Sequence, residues 1–261
     1  MLSSVWAARW YLLLGTVTFL LTLLMTTPLH FVWQYVSPYT DMLPVRVAQP
    51  TGTLWQGTAR ISDPALGELD AGWTIARPYT LFLGELNLDL SLEGSALRFD
   101  GVTRLDGLWQ GMPSHLELNG ASGYLSSSVV NRFLAPQQVS MDGEFEISGL
   151  TADISLVDER LHSASGQLVY GGGSVTYPLQ RGKNQTAELP VLVATIGTQG
   201  DNIVVPVVTE EGQPLGEAYL QPDGWGGVRV LRRAIDIAGQ TWPDKQAAED
   251  SIVFEVSQKV M

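Results

Sequence analysis

The chain has 261 residues, 15 of them Lys or Arg and 27 Asp or Glu, which leaves a formal charge of -12, with 27 Gly, 14 Pro and no Cys. A mean hydropathy near zero and 9% aromatics exclude a disordered acidic tail and a multi-span membrane protein, and the negative balance argues against nucleic acid as a partner. The lack of Cys removes thiol catalysis, Cys-ligated zinc and disulfide staples, while the Gly and Pro content points to a turn-rich β architecture.

The first nine residues hold Arg9, and no further charge follows before Asp41. Between them, Trp10 to Thr27 reads WYLLLGTVTFLLTLLMTT. As a helix this run, extended to Phe31, is long enough to cross a hydrocarbon core roughly 30 Å thick, so residues 10–31 are expected to form a transmembrane helix. A cleaved signal peptide would have a shorter apolar region ending at a small-residue site. Trp6, Trp10 and Tyr11 on one side and Phe31, Trp33 and Tyr35 on the other resemble interfacial belts. The positive-inside rule keeps residues 1–9 in the cytoplasm and exports the rest. The exported part then has one basic residue fewer than the chain's 15, against all 27 acidic ones, a balance of -13. Residues 32–50, with Pro38, Pro44 and Pro50, read as a linker.

From residue 51 to the C-terminus the dominant period is two. In ELNLDLSLE, Glu85 to Glu93, four leucines (Leu86, Leu88, Leu90 and Leu92) alternate with polar residues, which puts them on one face of a strand. Shorter alternations recur at Ser114–Asn119, Gly143–Ser148, Ala152–Asp158, Gln167–Tyr170 and Ile252–Val256. One wet and one dry face is the antiparallel pattern. The expected fold is therefore all-β, an antiparallel curved sheet or sandwich behind one N-terminal transmembrane helix. One short helix is predicted at Ser126–Leu134, from its Ser caps and the Pro136 stop. Val230–Ile237 fits either helix or strand. Gly171–Gly173 reads as a flexible hairpin turn.

The tetrapeptide LWQG starts at Leu54 and again at Leu108. Each copy predicts a strand that enters through Leu-Trp, buries the indole on the dry face and turns at the glycine. Gly52-Thr-Leu-Trp55-Gln-Gly57-Thr-Ala59, then Ala71-Gly72-Trp73, Arg77-Pro78 and the leucine strand, resemble the opening of the type II secretion system protein N family. Met141-Asp142-Gly143-Glu144-Phe145 and Gly166-Gln167-Leu168-Val169-Tyr170 extend the resemblance over nearly the whole chain. The resemblance implies a single-pass protein of the bacterial inner membrane with a periplasmic β-rich domain. Its implied role is an accessory part of the apparatus that exports folded proteins, its partners the other inner-membrane platform proteins, and it has no catalytic residues to carry over.

The residues themselves offer little chemistry. His30, His115 and His162 lie in no H-E-x-x-H or other close ligand pair, and neither a G-x-S-x-G elbow nor a Walker A run occurs. Asp158, His162 and Ser163 or Ser165 are too local for an ordinary triad. No catalytic, metal or cofactor residue is assigned, and no enzyme activity is expected. Arg229, Arg232 and Arg233 form the densest basic group of the exported part. They are either ion-paired to neighbours such as Asp223 or Asp236, or a docking site for an acidic partner. Two non-enzymatic functions follow: a secretion component acting through protein contacts, or a tethered module whose leucine face binds lipid.

Overall fold

A computed structural model describes residues 2–31, 33, 46–63, 66–111, 113–179, 183–240, 242–244 and 246–260. The uncharged N-terminal run folds as helix α1 (Leu2–Thr26). Its described side chains from Trp10 to Leu23 are all exposed. Among the described residues no helix is long and apolar enough to cross a membrane. Pro28, just past the helix, makes an isolated antiparallel bridge to Thr53.

Thirteen strands then form one open antiparallel sheet. Its first half contains β1 (Arg46–Gly52), β2 (Gln56–Asp63), β3 (Gly67–Ile75), β4 (Leu86–Gly94), β5 (Leu97–Asp106) and β6 (His115–Ser126). Helix α2 (Ser127–Leu134) and the short β7 (Ser140–Met141) follow, and the sheet resumes with β8 (Glu144–Ser155) and β9 (Arg160–Tyr170). Here the chain leaves to form β10 (Gly173–Leu179) and β11 (Lys183–Leu189), which with β7 make a second, three-stranded sheet. It returns as β12 (Leu192–Gln199), β13 (Asn202–Thr209), β14 (Pro214–Leu220), β15 (Trp225–Leu231), helix α3 (Arg232–Ile237) and the edge strand β16 (Ile252–Lys259). The leucine alternation is β4, the Ser-capped helix is α2, and VLRRAIDI divides, its first two residues closing β15 and its last six forming α3. The expected linker is shorter than read, since β1 starts at Arg46; residues 34–45 lie outside the described residues.

Strand order follows chain order because each strand is joined to the next by a turn or a small excursion. Register gives the consequence of period two. The row Ala59–Ala71–Leu92–Phe99–Gly123–Ile147–Leu168–Ala194–Val207–Gly216–Val230–Phe254 crosses twelve strands on one face with no polar side chain. The neighbouring row on the opposite face, Arg60–Asp70–Glu93–Arg98–Tyr124–Glu146, is polar as far as β8 and continues as Val169–Val193–Val208. Cross-strand pairs such as Leu92 with Phe99 contribute about 0.2 to 1 kcal/mol each beyond Ala pairs. No large side chain among the described residues is fully buried, so the apolar face of this single layer is half covered.

An open sheet this wide must curl. Register slips between Asp100 and Val102 in β5, Leu118 and Ala121 in β6, and Ser148 and Thr151 in β8 lie on adjacent strands. Gly120 and Gly149 adopt φ of 59° there, a region glycine enters at little cost. The bulges line up as a bend across the sheet. Gly171 and Gly172 are a junction between sheets and not the expected hairpin turn: β9 pairs with β8 and β12, while β10 pairs with β7 and β11. Tyr170 closes the junction. It is 4% exposed, its ring lies 5.0 Å from Phe145, and its hydroxyl donates to the Asp142 carbonyl at 2.6 Å.

Candidate functional site

The bend opens a trough on the polar face. Its walls come from the rows Gln56–Thr74–Asp89–Val102 and Thr58–Gly72–Ser91–Asp100–Ser122, and its volume is about 840 Å³. Small side chains make it. A Cβ on Gly72 would come within 2.6 Å of the Ser91 hydroxyl, so a larger residue there would fill the floor. The Thr51 and Thr58 hydroxyls share a hydrogen bond of 2.9 Å at the rim. A second hollow of about 530 Å³ continues it past Asp100 and Ser122 to Arg98, Tyr124 and Glu146. There Arg98 pairs with Glu93, and the Tyr124 hydroxyl donates to Glu144 at 2.9 Å. That bond to a carboxylate holds the phenol above its ordinary range.

Hydroxyls and carboxylates line the trough, with no histidine among them. A wide, shallow surface of this kind can hydrogen-bond an extended polar chain, but it lacks a nucleophile beside a base. No group of three or more potential ligands for a metal occurs among the described residues. His115 lies outside the trough and pairs with Asp153 across β6 and β8 at 3.1 Å. Ser165 shares a hydrogen bond with Thr151, not with His162. Asp158 accepts a hydrogen bond from the Ser155 hydroxyl at 3.4 Å.

The three arginines do not form one basic surface. Arg229 stands on the polar face of β15 between two carboxylates, donating to Glu217 at 2.6 Å and Glu255 at 3.0 Å, and its guanidinium lies over the Tyr219 ring at 4.7 Å. These bonds raise the pKa of Arg229 further and hold Glu255 below the ordinary carboxylate range. Arg232 pairs with Asp236 one helical turn on, at 3.4 Å. Arg233 contacts Glu249 and Asp250, each at 3.0 Å, and donates to the Pro214 carbonyl at 2.9 Å. The expected partner Asp236 is found for Arg232, but the strand-to-helix change at Leu231 sends the other two to carboxylates that sequence proximity did not suggest. Arg229 links β15 to β14 and β16, and Arg233 links α3 to β14.

The LWQG copies also differ from expectation. In the first copy Leu54-Trp55 lies in the turn between β1 and β2 and Gln56-Gly57 opens β2, whereas in the second Leu108–Gln110 is a 3-10 turn between β5 and β6. Trp109 is 73% exposed. Gly107 and Gly111 flank it with φ of 83° and 92°, a conformation that closes a tight turn and leaves no extended run for the indole to enter the dry face. Trp73, which belongs to neither copy, fills the space over Gly57, where a Cβ would be 2.5 Å from its ring.

Residues 44–230 match the family model described as type II secretion system (T2SS), protein N. No curated protein and no solved structure matches the chain.

Proposed function

The chain belongs to the type II secretion system protein N family, a family of structural or accessory secretion components, and from that premise we propose that it is a single-pass inner-membrane component supporting export of folded periplasmic proteins through protein contacts. In this reading α1 is the anchor, residues 1–9 are cytoplasmic and the sheet is periplasmic. Support for the anchor comes from the uncharged run itself and from its hydroxyls. Thr16, Thr22 and Thr26 donate to the carbonyls four residues back at 2.9, 2.9 and 2.8 Å, so those polar atoms are satisfied within the helix, as lipid requires. Tethering raises the effective concentration of neighbouring membrane proteins, so weak periplasmic contacts suffice.

The observation that carries the contact role is the asymmetry of the two sheet edges. β1 is blunted by Pro50 and by a register slip between Ala48 and Thr51, devices that block edge pairing. β16 has neither. No described strand pairs with its outer side, and Ile252, Phe254 and Val256 are exposed along it. An open edge with apolar side chains alternating on one face suits strand addition by a partner. β16 lies beyond the matched residues 44–230, so this edge is a feature of the chain outside the family core. A photocrosslinker at Phe254 in secreting cells should capture another inner-membrane secretion component. Capture no greater than from a crosslinker at Ala48 on β1 would sink the idea.

The half-covered apolar face favours a second reading, a hydrophobe-binding module holding lipid along that face. Native mass spectrometry of the full chain released from detergent should then show phospholipid that survives delipidation. Lipid-free spectra after mild release would leave the contact role alone.

A further inference from the structure

Most of the highly exposed apolar side chains at the loop tips of the sheet gather at one end, with Phe133 on α2 at the other. The β1–β2 turn, the 3-10 turn Pro78–Leu83, the turn Leu108–Gln110 and the β8–β9 turn all lie at one end. They are stitched side by side through backbone bonds. Ile75 N–H donates to the Trp55 carbonyl at 2.7 Å, Leu108 N–H to Gly84 at 3.1 Å and Leu156 N–H to Ser114 at 3.0 Å. The crest they build presents Tyr79, Phe82, Leu83, Trp109 and Val157, four of which are 72% to 75% exposed. Trp109 is held outward against Gly84, where a Cβ would come within 2.5 Å of its ring. At the opposite end the β13–β14 turn and the loop after α3 carry Glu210, Glu211, Glu249 and Asp250.

We infer that this crest rests in the headgroup layer of the phospholipid bilayer, seated there by the helix whose C-terminal end is held at the same end of the sheet. The inference rests on α1 being the membrane anchor. The Pro28–Thr53 bridge ties the chain two residues past α1 to the first turn of the crest, so a bilayer that holds α1 meets this end of the sheet and no other. The composition fits an interface: Trp and Tyr carry a polar tip on an apolar body and settle at headgroup depth. Charge near the tips is mostly neutralised within the protein, since Arg104 pairs with Glu85 at 3.2 Å and Asp106 at 3.1 Å. Arg77, beside Tyr79, has no ion-pair partner among the described residues and is placed to meet phosphate. Asp158 and Glu159, next to Val157, keep that part of the crest at the surface and prevent deeper insertion.

Because the chain has no Cys, single labels report cleanly. Full-length Phe82→Cys, Val157→Cys, Leu20→Cys and Ser95→Cys proteins, each carrying an environment-sensitive fluorophore, are reconstituted in phosphatidylcholine–phosphatidylethanolamine vesicles. Ser95 follows the nine residues of β4 and lies about 30 Å from the crest at roughly 3.3 Å per residue. The labels at 82 and 157 should be quenched by a nitroxide lipid several-fold more than the one at 95, and shielded from aqueous iodide. If position 20 is quenched by the lipid while 82 and 157 behave like 95, the crest inference is overturned and the anchor stands. If position 20 is not quenched, the anchor reading falls and takes the inference with it. Labels at 82 and 157 that are shielded from iodide yet untouched by nitroxide lipid would mean a contact between copies of the chain, which also overturns it.

Discussion

Replacing Tyr170 tests whether the two sheets share a packed junction. Tyr170→Phe keeps the ring against Phe145 and removes one hydrogen bond, to the Asp142 carbonyl, a loss of about 1 kcal/mol, rising toward 2 because the carbonyl is left without that donor. Tyr170→Ala also removes a ring that is 96% covered and against which Gly143 and Gly173 lie too close for any side chain to fill the gap without rearrangement. A cavity of that kind costs about 3 to 5 kcal/mol. At roughly 2 to 4 °C per kcal/mol for a domain of this size, the phenylalanine variant should melt a few degrees early and the alanine variant about 10 °C early. Full-length protein in mild detergent, melted under far-ultraviolet circular dichroism, gives both values. An alanine variant melting within about 2 °C of the parent would refute the reasoning, because it would mean that the small sheet is not held through this side chain.

Three further outcomes follow. Leu69, 3% exposed, should cost about 2 to 5 kcal/mol when cut to Ala, whereas Trp109→Ala should stay within about 0.5 kcal/mol; urea unfolding of both separates the buried position from the exposed tryptophan. Arg233→Ala, which releases Glu249, Asp250 and the Pro214 carbonyl, should destabilise by about 1 to 2 kcal/mol and loosen α3, read as faster amide exchange at Arg232–Ile237. Glu255 has its pKa lowered first by the hydrogen bond from Arg229 and then by that from Tyr219. A carboxylate lowered on folding contributes stability above its unfolded pKa, near 4.5, and loses it as the pH falls through the folded value. Amide exchange along β16 should therefore accelerate below about pH 4 in the parent, and the acceleration should be absent in Glu255→Gln.

Different parts of this fold were legible to different degrees, and the reasons are physical. Glu85–Glu93 announced β4 because leucine and polar residues alternate without interruption, and α2 was visible from Ser126 and Pro136 because caps and stops act locally. Trp109 is exposed against expectation because a positive φ at Gly107 and Gly111 decides between turn and strand, and glycine identity does not reveal which sign it takes. Ion pairing of the arginine group was expected with carboxylates close in sequence, yet the change from β15 to α3 at Leu231 gives Arg229 and Arg233 partners from elsewhere in the chain. The trough was not visible at all. Asp89, Ser91, Asp100 and Ser122 come from three strands and meet only through cross-strand register, which depends on bulges at Gly101, Gly120 and Gly149. The small sheet is hidden for a related reason: β7 has only two residues, and the glycines that lead into β10 resemble those of any hairpin.

Tethered contact through the β16 edge is the central claim, and secretion itself tests it most directly. In a secreting host lacking the gene, full-length parent protein should restore export of the periplasmic enzymes. Phe254→Lys/Val256→Lys places charge on the open edge, as edge strands that resist pairing do, and should accumulate normally in the membrane while leaving export close to the deletion level. Full restoration of export by that variant, at parent abundance, would contradict the account.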